Sequence, residues 1–178
     1  NNGVCVCQNV TDEKGNTLFP WKLHTMKNGL RVGIVGIVTD YVNIWEKEEN
    51  LKGIHITDPF EAAKKALAQM KEQTDLTICI YHGGFECDLE SGETLSKTTE
   101  NVGYRICKEL DFDILLTGHQ HMSVPGRDIS GTYTVQPCDN AKEYQYLEVT
   151  MTDHEKSIRS ELRQSDAAKG GALADKYR

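Results

Sequence analysis

Long apolar runs are missing from this sequence. The longest, Val32 to Val38, is interrupted by Gly33 and Gly36, and it falls far short of the roughly 20 residues a membrane-spanning helix needs. No basic segment followed by an apolar one comes after Asn1, so no signal peptide is expected within this stretch itself. Positive charge is in short supply as well. Twenty Lys and Arg face 27 Asp and Glu, leaving a net charge of −7, which argues against binding an extended nucleic-acid polymer. A small phosphate ester stays open, because a metal ion can supply local positive charge. There is no Walker-type phosphate loop and no Gly-x-Ser-x-Gly elbow. Gly33 and Gly36 sit inside a strand-like run rather than at a strand-to-helix turn, so a dinucleotide fingerprint is absent too.

What is present describes one globular domain. With 178 residues, 38% hydrophobic and 26% charged, the chain can enclose a real core and is too short for two large domains. It opens abruptly into Val4-Cys5-Val6-Cys7 and closes in a polar, Ala/Gly-rich stretch from Ala167. That pattern leads us to expect a segment of a longer protein. The six cysteines, Cys5, Cys7, Cys79, Cys87, Cys107 and Cys138, are too scattered for a disulfide framework. Cys5-Val6-Cys7 could form a metal or redox pair. Strand alternation favours instead two small buried groups on one face.

Val4 to Val10 is expected as a strand. Lys22 to Met26 and Leu30 to Val35, joined through Asn28-Gly29, are expected as a hairpin. The β-branched run Leu30 to Val38 suits a strand buried on both faces. Thr39 to Thr57, carrying Tyr41 and Trp45, is expected to be a long irregular connection that covers something or forms a flap. Asp58-Pro59-Phe60-Glu61 is a helix start, with a capping Asp and Pro at the first helical position. Phe60, Ala63, Leu67 and Met70 then share one face. Leu76 to Tyr81 is the next buried strand. Thr98 or Thr99 can cap a second helix bearing Val102, Ile106 and Leu110, and Phe112 to Thr117 is the strand after it. Helix, strand, helix, strand in alternation define a parallel α/β unit. Thr132 to Gln136 and Tyr144 to Met151 are expected as a closing pair, and Ser157 to Gln164 as a surface helix.

Chemistry concentrates where two of these strands end. In parallel sheets, ligands gather at the carboxyl ends of strands. His82 follows Leu76 to Tyr81. His119 and His121 follow Ile114 to Leu116, within Thr117-Gly118-His119-Gln120-His121. Adjacent strands lie about 4.8 Å apart, so residues leaving them can converge on one ion. Neutral imidazole is a common ligand for transition metals. His82, His119 and His121 are therefore the candidate metal ligands. His24, His55 and His154 have no partner histidine and are expected to be structural or on the surface. A two-metal hydrolytic site also needs a bridging carboxylate, and no Asp-x-His or Gly-Asp pair precedes a strand end here. Asp40, Glu86 and Asp88 are the nearest carboxylates. Asp40 and Glu86 are candidates for supporting or substrate-side roles.

His82-Gly83-Gly84, Glu100-Asn101, and Thr117-Gly118-His119-Gln120-His121 followed by Pro125-Gly126 resemble the calcineurin-like metallophosphoesterases. The likeness is strongest to their 5′-nucleotidase and 2′,3′-cyclic-nucleotide 2′-phosphodiesterase/3′-nucleotidase branch. Asn9-Val10 resembles the strand that follows that family's Gly-Asn-His-Asp/Glu motif. Pro137-Cys138-Asp139-Asn140 departs from its more usual Pro-Gly turn. The resemblance implies an α/β fold, part of a four-layer αββα sandwich with parallel strands and a closing antiparallel pair. Residues 1–152 would be the C-terminal portion of the catalytic domain, and residues 153–178 a linker or surface helix toward a further domain.

It also implies two divalent ions, zinc, manganese or similar, in the intact enzyme. His82 and His119 would bind one and His121 the other. The remaining ligands and the catalytic histidine would precede Asn1, leaving partial or no metal and no catalysis in this segment. A small nucleotide would be the substrate, and the parent protein would be extracellular, periplasmic or at the cell surface. Half a sandwich would leave sheet surface exposed, so self-association is expected. Two alternatives stand beside this reading. One is a non-catalytic metal-binding or interaction module. The other is a redox protein using Cys5 and Cys7.

Overall fold

Asp58 and Pro59 begin the best-specified element. The Asp58 carboxylate accepts the backbone N–H of Glu61 at 2.9 Å, and Pro59 occupies the first turn, where its missing N–H costs nothing. The computed structural model describes residues 3–152 and 155–165; His154 and the stretch from Ala167 lie outside them. Strands β1 (Cys7–Asp12), β2 (Thr17–Phe19), β3 (Lys22–Thr25) and β4 (Arg31–Val38) come first. Helix α1 (Val42–Trp45), β5 (Ile54–Ile56), α2 (Pro59–Met70), β6 (Leu76–His82), α3 (Gly103–Glu109) and β7 (Ile114–Leu116) follow. Four strands close the order: β8 (Val124–Ile129), β9 (Thr132–Gln136), β10 (Glu143–Met151) and β11 (Lys156–Gln164).

The centre is a six-stranded sheet in the order β3-β4-β6-β7-β9-β8. β4, β6, β7 and β9 run parallel, while β3 and β8 are antiparallel edges. Strand alternation sends Val35, Ile37, Cys79, Tyr81 and Leu115 to one face, where Phe60, Ala63, Leu67 and Met70 of α2 and Ile106 and Cys107 of α3 bury them. The opposite face carries Val32, Leu76 and Ile114, covered by Leu147, Val149, Met151 and Ile158 of the β10–β11 ribbon. An α layer, a mixed sheet and part of a second β layer are thus present, as the expected αββα class requires. Ile80, on that second face, is left 43% exposed.

Several local expectations are corrected. The stretch Thr39 to Thr57 is not irregular throughout: it holds α1, a 3-10 turn at Glu48–Asn50, and β5, which pairs with β1. Thr132 to Gln136 does not pair with Tyr144 to Met151. β9 pairs with β7 and β8, and β10 pairs with β11 over its full length, Glu143 against Gln164 to Met151 against Lys156. The antiparallel closure is real, but other strands make it. Ser157 to Gln164 is strand, not helix. Cys5 is exposed and Cys7 half-buried, so the two do not share a buried face.

Asn9 joins the N-terminal strand to this framework. It is fully buried. Its amide donates to the carbonyl oxygens of Val38 at 2.7 Å and Thr57 at 2.9 Å, and its Oδ1 accepts the N–H of Val38 at 3.0 Å.

Candidate functional site

β6 ends on His82, which sits opposite Val38 at the carboxyl end of β4. The carbonyl of His82 accepts the N–H of Thr39 at 3.0 Å. β7 ends at Leu116, and the chain then turns sharply. His119 and His121 both adopt left-handed backbone, φ 74° and 55°, which is uncommon for residues other than glycine. Gln120 between them clamps the neighbouring loop. Its Oε1 accepts the Phe85 N–H at 2.8 Å and its Nε2 donates to the Phe85 carbonyl at 2.9 Å. Gly84 makes room for that clamp, since a Cβ there would stand 2.1 Å from Gln120 Oε1.

The three predicted histidines meet around one shallow pocket of about 320 Å3, lined also by Gly118 and by Pro137, Cys138, Asp139 and Asn140. His82 and His119 have ring centroids 5.4 Å apart, tilted 60°. Burial lowers the His82 pKa, and the positive character of His119 and His121 lowers it further, so neutral imidazole is favoured. Among the described residues no group of three His, Cys, Asp or Glu converges as a metal cage. A larger hollow of about 430 Å3 lies on the far side of Gln120, under Phe85, Leu95 and Met122. Its charged groups have other work: Asp88 holds a turn through Ser91, and Arg127 faces Glu90 at 3.9 Å.

The expected supporting carboxylates sort themselves differently. Glu86 accepts the N–H groups of Tyr104 at 3.0 Å and Arg105 at 2.6 Å, closing the amino end of α3. Val102, not Thr98 or Thr99, precedes that helix, and no side chain at that position caps it. Burial raises the Glu86 pKa against those hydrogen bonds. Asp40 accepts a long hydrogen bond from Thr99 Oγ1, 3.3 Å, and burial raises its pKa as well.

Three residues not singled out for the site belong to it. Glu100 Oε1 lies 2.9 Å from His119 Nε2. Trp45 stacks on the His119 ring at 5.1 Å, so the connection after β4 does cover something. Asp139 lines the pocket, and its hydrogen bond from Lys142 at 3.1 Å, more than any neighbouring charge, lowers its pKa. Glu100 stands in the Glu100-Asn101 pair, which was a sequence signal. Trp45 and Asp139 lie in stretches that the sequence also singles out, Thr39 to Thr57 and Pro137 to Asn140, but it gives neither a role at the site.

Imidazoles from the carboxyl ends of two adjacent parallel strands, on an α-backed sheet, thus share one strand-end pocket. Comparisons with known proteins bear on the fold and the relatives. No family model matches. A 2′,3′-cyclic-nucleotide 2′-phosphodiesterase/3′-nucleotidase of Yersinia enterocolitica is 30% identical over 145 residues, covering 75% of this chain and 21% of that protein. The enzyme of that name from Salmonella typhimurium is 30% identical over 103 residues, 57% of this chain and 15% of the other. Among solved structures, a Staphylococcus aureus protein described as a 5′-nucleotidase, in complex with alpha-ketoglutarate, matches with a TM-score of 0.87 and 28% identity over 99% of this chain and 36% of its own.

A calcineurin-like phosphoesterase of Bacillus subtilis shares the fold, with a TM-score of 0.72 at 21% identity, over 89% of this chain and 55% of that one. The chain therefore has the calcineurin-like metallophosphoesterase fold, and its homologues are nucleotide phosphodiesterases and nucleotidases. It spans 15% and 21% of the length of the two curated relatives described. Among the described residues no helix is long and apolar enough to cross a membrane.

Proposed function

We propose that this chain is the C-terminal part of a catalytic domain that hydrolyses nucleotide phosphoesters with divalent metals, and that alone it is inactive. The observation that carries the reading is the His82–His119 pair. With Zn–N bonds of about 2.1 Å and tetrahedral angles, two imidazoles on one ion hold their centroids roughly 5 Å apart. The rings stand at 5.4 Å, a spacing compatible with two imidazoles sharing one ion. His82 and His119 would hold one ion and His121 would contribute to a second. When bound, such ions would supply Lewis-acid stabilisation of the phosphoryl group and would activate water at neutral pH.

This chain's own residues do the rest of what it can do. The Gln120–Phe85 clamp fixes the loop that carries the histidines. Trp45 shields one face of His119. Asp139, beside the pocket, is a further carboxylate on the His121 side. Asp139 is the single carboxylate among the pocket's lining residues, fewer oxygen ligands than a two-ion centre needs, and this is our reason for reading the chain by itself as inactive. The resemblance to nucleotidases is also our reason for placing the parent protein in the periplasm or outside the cell. Residues 1–152 with the β11 strand are the catalytic portion in this reading.

The test compares the chain alone with the chain joined to the sequence encoded before it, each given manganese or zinc and 2′,3′-cyclic AMP. We expect no turnover from the first and turnover from the second. Turnover by the chain alone would sink the inactive-segment reading, and silence from the joined protein would sink the enzyme reading. A second reading is a metal-binding or interaction module without hydrolysis; silence from the joined protein with zinc still bound would select it. The redox reading has little support, because burial pushes the Cys7 thiol up to about 11, away from the reactive thiolate.

A further inference from the structure

The carboxylate of Glu100 touches His119 at the ring atom farthest from the backbone, Nε2, at 2.9 Å. The backbone that carries this carboxylate is anchored. The backbone carbonyl of Glu100 accepts the hydroxyl of Thr39 at 2.7 Å and the phenol of Tyr81 at 3.1 Å, and both of those residues are buried. Glu100 is therefore held from the sheet's core, through the strand end that also carries His82. Trp45 lies along the same imidazole at 5.1 Å with 30° between planes. One edge and one face of the His119 ring are thus fixed before any ligand arrives.

The geometry points to Glu100 as the positioning residue that sets the tautomer of His119, holding the proton on Nε2 and leaving Nδ1 as the atom offered to a metal. The chemical reason is that a carboxylate only accepts, so the ring nitrogen facing it must donate. In neutral imidazole the other nitrogen then keeps its lone pair. Carboxylate–histidine pairs of this sort orient metal-bound imidazoles and raise their basicity. The inference rests on the metal reading of His119, but it names an atom and a residue that reading does not require. It also explains why a glutamate 19 positions upstream belongs to the histidine loop.

The experiment has two readouts on the same chain. In the metal-free protein, nitrogen-15 chemical shifts report which ring nitrogen of His119 carries the proton. We expect the Nε2–H form in the native chain. Glu100→Gln should retain it, because the amide oxygen also accepts, whereas Glu100→Ala should lose it. Zinc titration by calorimetry is the second readout. Glu100→Ala should weaken binding by about 10- to 100-fold, with Glu100→Gln falling between it and the native chain. The Thr39 and Tyr81 contacts use the backbone of Glu100, so circular dichroism of both variants should match the native chain.

An Nδ1–H tautomer in the native chain, or an unchanged tautomer in Glu100→Ala, would overturn the assignment. So would a zinc affinity in Glu100→Ala within twofold of native. If the native chain binds no zinc while its tautomer follows Glu100, the positioning role stands and the metal reading of His119 fails.

Discussion

Replacing Asn9 by alanine tests how the N-terminal strand is tied to the site. The side chain is fully buried and makes three hydrogen bonds to main chain, two to carbonyl oxygens and one from the Val38 N–H. Each such bond is worth about 1 kcal/mol net, and a buried group left unpaired costs roughly 1–3 kcal/mol. Three bonds together give about 3 kcal/mol, rising toward 5 if no water enters to satisfy the Val38 amide. With a urea dependence of about 2 kcal/mol per molar, the unfolding midpoint should fall by roughly 1.5 M.

The effect should also reach the pocket, because Val38 pairs with His82 in the sheet and Thr39 donates to the His82 carbonyl. Urea unfolding followed by circular dichroism measures the first part, and zinc affinity measures the second. A loss below about 1 kcal/mol, at an unchanged urea slope, would refute the claim that Asn9 is a buried tie and not a bystander.

Cysteine reactivity should divide by burial: Cys5 should react with a thiol reagent in the native chain, whereas Cys79 and Cys107 should react only after unfolding, since burial pushes the Cys107 thiol up to about 12 and the Cys79 thiol higher still. Fast native labelling of all six would contradict the core assignment. Asp75 faces Arg31 at 2.6 Å, and the Arg31 hydrogen bonds lower its pKa from 3.8 to about 2. Its folded pKa is depressed, so its contribution is present above pH 3.8 and is lost as pH falls toward 2; Asp75→Asn should flatten the acid limb of a stability profile in that window, more visibly at low salt. The sheet face around the exposed Ile80 should promote self-association at high concentration, and Ile80→Lys should lower the mass seen by light scattering, whereas a monomeric native chain would remove that expectation.

The elements most legible in the sequence are those whose signals are local. Asp58-Pro59 announces α2, and the spacing of Phe60, Ala63, Leu67 and Met70 gives its buried face without reference to anything else. His82 and the Gly118-His119-Gln120-His121 group could be placed at strand ends because a buried parallel strand is a dense apolar run with an abrupt polar stop. What was not legible depends on long-range register. In Lys156–Gln164, Ile158 and Leu162 are four apart, a spacing that suits a helix face as well as alternate strand positions, and only the partner β10 decides between them. Glu86 sits near a strand end, yet the amino terminus of α3 claims it. Trp45 reaches His119 across 74 residues of sequence, a meeting that only the assembled sheet can arrange.

The two left-handed histidines set stability against purpose. A side chain in that conformation costs about 1 kcal/mol relative to ordinary backbone, a penalty glycine does not incur. Two such residues within three positions, His119 and His121, keep the loop tensed by the packing around it. Evolution toward thermal robustness alone would tend to trade these imidazoles for glycine and relax the turn. The loop is therefore a place where heat-selected variants should change first, and where a more stable descendant should be checked for an altered pocket.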